Sequence, residues 1–123
     1  MSIKAKLNTE RTHDDGNFVQ VYDVGNYLVI VQSWRKNSKC IFVDIRSNPD
    51  SKRYLPHLSA HDNMEGGFRD AGVSVQTTSY GSLSPVEIKQ FMRDMQEGID
   101  TAEYIGEHFI RPMMDGTWEW EVR

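Results

Sequence analysis

Residues 18–34 read FVQVYDVGNYLVIVQSW, and this stretch decides the fold. Phe18–Val24 and the run that follows from Tyr27 are dense in β-branched and aromatic residues, the types that fit a pleated, half-buried surface. Only Gly25-Asn26 separates them, a two-residue connection of hairpin type. Past a polar turn at residues 35–39, a third run of the same kind follows at residues 40–46, CIFVDIR. Three such runs on short connections predict an antiparallel meander. On the N-terminal side, residues 3–7 alternate apolar and basic and read as a short strand. Residues 9–17 are polar, with Asp15-Gly16-Asn17 supplying turn chemistry.

Beyond the meander, residues 47–72 carry Pro49, Pro56 and three glycines and read as irregular. Residues 73–80, VSVQTTSY, alternate as a strand. Residues 117–122, TWEWEV, predict another, with Trp118 and Trp120 turned inward. Between them lies the helix. Ser84-Pro85-Val86-Glu87 offers an N-cap, proline at the first helical position and Glu three residues past the cap. Apolar residues recur at Ile88, Phe91, Met92, Met95, Ile99, Ala102, Phe109 and Ile110, the spacing of one helical face. Pro112 is expected to stop the helix, with a bend or an earlier end near Gly106. The expected fold is therefore α+β in two layers: an antiparallel sheet of four to five strands packed against one long C-terminal helix.

At 123 residues, 38% hydrophobic and 11% aromatic, the chain reads as one domain over residues 1–123. Wholesale disorder is excluded by that apolar content. The longest apolar run spans five residues, 27–31, far short of a membrane helix. The first residues lack the apolar region of a secretory signal. A single cysteine, Cys40, excludes an internal disulfide framework and fits a reducing compartment, so the expected location is the cytoplasm.

The charge is uneven. The chain holds 14 basic and 18 acidic residues; residues 35–53 carry six bases against two acids, and residues 84–123 carry nine acids against four bases. The basic window, with Trp34, Phe42 and Tyr54 nearby, is one candidate for stacking bases and neutralising phosphates. Against it stands the acidic whole-chain balance, so direct nucleic-acid binding is not the expected use. The acidic stretch is the stronger candidate. Glu87, Asp94, Glu97, Asp100, Glu103 and Glu107 are placed opposite the Phe91/Met95/Ile99 stripe, where carboxylates can occupy phosphate-like positions against Arg and Lys of a partner protein.

Catalytic patterns are weak. Cys40 opens a β-run, where a thiol more often packs than reacts, and no Gly-x-Ser-x-Gly elbow or phosphate loop is present. The sharpest chemical pattern is His57-Leu58-Ser59-Ala60-His61-Asp62. On a helical turn His57 and His61 share a face and, with Asp62, offer a structural Zn²⁺ three ligands. His13, Cys40 or His108 is a possible fourth. No cofactor is otherwise expected.

Residues 78–88, TSYGSLSPVEI, running into Phe91, Met95, Ile99 and Ala102, resemble the ends of small proteins from phages and mobile genetic elements of Gram-positive bacteria. In those chains a strand passes through a short Gly/Ser turn into one long helix. The anti-CRISPR inhibitors are one class among such acidic proteins. The resemblance implies a non-enzymatic inhibitor that binds a host protein, a CRISPR effector nuclease, and blocks its loading of nucleic acid.

Overall fold

A computed structural model describes residues 3–12, 16–33, 41–48, 54–61, 72–77 and 81–118. Four strands form an antiparallel meander in the order β1 (Ala5–Thr12), β2 (Phe18–Val24), β3 (Tyr27–Ser33) and β4 (Ile41–Ser47). The β2–β3 hairpin turns on Gly25-Asn26 as expected: Val24 pairs with Tyr27, and Gly25 takes a φ of +60°. A separate pair, β5 (His57–His61) and β6 (Gly72–Gln76), is also antiparallel. The chain is α+β.

Two strand expectations change. β1 continues to Thr12, across residues whose polarity suggested a loop. It lies at the sheet edge, and a bulge between Leu7 and Thr9 resets its register, so that Glu10 and Thr12 pair with Gln20 and Phe18. Residues 57–61 are a strand rather than part of an irregular stretch. Leu58 and Ala60 alternate with His57, Ser59 and His61, and Leu58 is fully buried. β6 consequently pairs with β5, not with the meander.

The core lies between the meander and the helix. Tyr22, Val24, Tyr27, Val29, Val31 and Ile45 from the sheet meet Ala102, Ile105 and Phe109 from the helix, with Leu58 beside them. Trp118 packs inward, tilted on Phe109 and edge-on to Tyr22. Thr117 and Trp118 follow the helix end in a turn, where Thr117 N–H donates to the Pro112 carbonyl, and are not the expected strand. The rest of the TWEWEV segment lies outside the described residues. One polar chain threads the core: the Tyr22 hydroxyl donates to Gln20 Oε1 at 2.8 Å, and the Gln20 amide donates to Glu10.

Helix α1 (Pro85–Ile105) begins with the anticipated capping box. Ser84 Oγ accepts from Glu87 N–H, and Ser84 N–H donates to Glu87 Oε1. The helical run does not stop before Pro112. It widens into a π turn (Gly106–Ile110), where Arg111 N–H donates to the Gly106 carbonyl, and closes with α2 (Arg111–Met114). Inside a regular α-helix, Pro112 would crowd the carbonyl four residues back and leave one bond unmade. The wider π turn falls where that crowding would occur.

Candidate protein-interaction surface

The face that α1 turns to the core is not its most apolar stripe. Asp94, Gly98, Thr101, Ala102 and Ile105 are buried, whereas Ile88, Met92 and Ile99 are exposed, Met92 at 64%. The reason is residues 54–56, which run between the meander and the helix. Tyr54 N–H donates to Asp94 Oδ2 at 3.2 Å, and the Tyr54 hydroxyl donates to Glu87 Oε2 at 2.9 Å. Its ring meets Phe91 edge-on. The buried Tyr27 hydroxyl donates to the Pro56 carbonyl at 2.6 Å. Burial, and then the nearby carboxylates of Glu97 and Asp94, hold the Tyr27 phenol well above its usual range. A helix that must present an acceptor to Tyr54 and a side-chain-free flank to Pro56 is turned accordingly.

This rotation corrects the expectation that six acids share one solvent face. Asp94 is fully buried and also accepts from Gln90 Nε2 at 2.6 Å. Glu87 is engaged in the cap and with Tyr54, and Glu97 accepts from Asn26 Nδ2. Glu97 ties the helix to the β2–β3 turn, and Glu87 and Asp94 tie it to Tyr54. Asp100, Glu103 and Glu107 are exposed. They recur at helical spacing of three and four, so they form one row on the surface. Asp100 accepts from Gln96 Nε2 at 2.9 Å, and among the described residues neither Glu103 nor Glu107 takes an ion pair.

The helical turn required for the His57, His61 and Asp62 zinc site is not formed. In a strand, residues four apart share a face but stand ~13 Å apart along it, against ~6 Å on a helix. His57 and His61, at the two ends of β5, are therefore not brought to one ion by the backbone. Asp62 lies outside the described residues. The exposed His57 ring instead has Ser59 Oγ 3.1 Å from Nε2. Among the described residues, no three His, Cys, Asp or Glu side chains cluster as a metal site would require. Of the basic window, residues 34–40 and 49–53 lie outside the described residues. Arg46 pairs with Asp44 at 2.8 Å, and Phe42 is exposed on β4 rather than buried.

Sequence reasoning missed the role of residues 54–56 and of Asp94. The available signal was Gly98 in mid-helix, where a glycine costs ~1 kcal/mol against alanine and so calls for a packing reason. No helix of the described residues is long and apolar enough to cross a membrane. No family model, curated protein or solved structure matches this chain.

Proposed function

We propose that this chain is a non-enzymatic protein-binding inhibitor that sets an acidic helix surface against the basic, nucleic-acid-binding surface of a host protein. The observation that carries the reading is the row Asp100, Glu103 and Glu107, exposed on a helix whose other acids fasten it to Tyr54 and to the β2–β3 turn. A row held this way presents carboxylates at fixed spacing, which steers association with Arg and Lys and fixes register. In its most specific form the partner is an RNA-guided nuclease of the host, and that identity rests on the likeness of residues 78–102 to small mobile-element proteins. The test is guide-RNA loading by a panel of purified RNA-guided nucleases from Gram-positive bacteria. A stoichiometric block is expected, lost when Asp100, Glu103 and Glu107 are reversed to Lys. Unchanged loading across the panel, with no complex by gel filtration at low salt, overturns the reading.

A further inference from the structure

β6 joins β5 along one edge, and among the described residues no strand pairs with its other edge. Leu58 of β5 is buried, whereas its cross-strand partner Val75 is 36% exposed. The small sheet packs on the core at β5 and lies alongside the helix at β6. Between β6 and the helix is a cleft of about 660 Å³, within the range of ligand-binding clefts. Val73 and Val75 line one wall, and Ile99 and Ile110 line the other. Glu103 and Glu107 line the helix wall too, with Arg111 beyond them. Gly106, also on that wall, indents it, since a Cβ there would meet nothing within 4 Å.

We propose that this cleft binds an extended basic segment of a partner protein, added as a strand along the outer edge of β6. Strand addition takes affinity from main-chain bonds and specificity from alternate side chains, which point to opposite faces. Of the side chains on the segment's helix-facing side, an apolar one enters between Val75 and Ile99. A Lys or Arg two positions along, on the same side, lies against Glu103 and Glu107, which outnumber Arg111 among the described lining residues. A strand that carries apolar and basic residues two apart on one face matches the helix wall. The proposal rests on the reading that the exposed acids meet a basic partner, and it names the form in which that partner arrives.

The probe is a fluorescein-labelled hexapeptide, Ser-Val-Ser-Lys-Ser-Val, which sets Val and Lys on one face, titrated into the full chain and followed by anisotropy and by amide chemical shifts. Binding is expected, with shifts concentrated at Gly72–Gln76. Replacing its Val by Ser, or its Lys by Glu, is expected to weaken it at least tenfold. Gly106→Leu adds bulk at a position where a Cβ has open space around it, and is expected to weaken binding at least tenfold at an undiminished melting temperature. Glu103→Lys with Glu107→Lys does the same through charge. Equal binding of the Val and Ser peptides, shifts away from β6, or no binding overturns the cleft. A nuclease block that survives Gly106→Leu but fails on reversal of the acids leaves the surface reading standing and removes this proposal. Peptide binding at β6 without any nuclease block removes the surface reading alone.

Discussion

A Cβ on Gly98 would stand 2.2 Å from Cγ of Pro56 and 3.2 Å from the Tyr27 hydroxyl, so the absence of a side chain lets α1 lie against residues 54–56. The neighbour is a proline ring, with no flexible end to swing aside. Gly98→Ala should therefore destabilise the fold by about 2 kcal/mol or more, overriding the ~1 kcal/mol that alanine otherwise gains in a helix. Gly106→Ala, which meets nothing within 4 Å, should instead leave stability unchanged or raised. Urea denaturation of the two variants compares them directly. Equal midpoints would remove the close approach as the reason for Gly98.

Asp94 should matter to folding and not to partner binding. Asp94→Ala leaves the buried Tyr54 N–H without its acceptor, a loss of about 1–3 kcal/mol. Asp94→Asn keeps a carbonyl acceptor and should cost less. Thermal melts rank the pair. A stable Asp94→Ala variant with lost partner binding would return Asp94 to the interaction surface.

The acids of the helix should separate into two groups on reversal. Glu97→Lys removes the acceptor of Asn26 and should lower stability by about 1 kcal/mol. Asp100→Lys should stay within about 0.5 kcal/mol, as exposed substitutions do. Association with a basic partner should weaken as salt rises, since exposed charges are screened beyond about 8–10 Å at physiological ionic strength. Binding that does not respond to salt counts against the acidic row.

Alkaline pH should loosen the fold through Tyr27. Its folded-state value lies above the usual 10.0, so the stability it contributes is whole below pH 10 and is lost as pH rises toward the folded value. Tyr27→Phe should flatten that slope. It should also cost about 1–3 kcal/mol at neutral pH, because the buried Pro56 carbonyl loses its donor. Chemical denaturation at pH 8 and pH 10.5 measures both effects.

The meander and the capping box were legible in the sequence because each follows from local pattern: β-prone runs across Gly25-Asn26, and Ser84 with Glu87. The facing of α1 was not. Apolar spacing pointed to Ile88, Met92 and Ile99, but the side the helix buries is set by Tyr54 and Pro56, roughly 40 residues away in the chain. His57 and His61 misled for a related reason. Spacing of four fits either a helical turn or one face of a strand, and pairing with β6 decides between them. Three of the six candidate acids were thus assigned to solvent when they hold the helix in place.

The attachment of α1 through residues 54–56 has a consequence for how the molecule opens. Lifting the helix off the sheet breaks the Tyr54–Asp94, Tyr54–Glu87 and Asn26–Glu97 bonds together, and it uncovers Tyr27 and its bond to Pro56. Partial detachment therefore has little left to hold it. The helix and the meander should exchange their amide hydrogens as one cooperative unit, with the Tyr54 amide released only at the free energy of global unfolding. Fraying should be confined to ends such as the α2 turn, so the row at Asp100, Glu103 and Glu107 is displayed from a scaffold that opens whole or not at all.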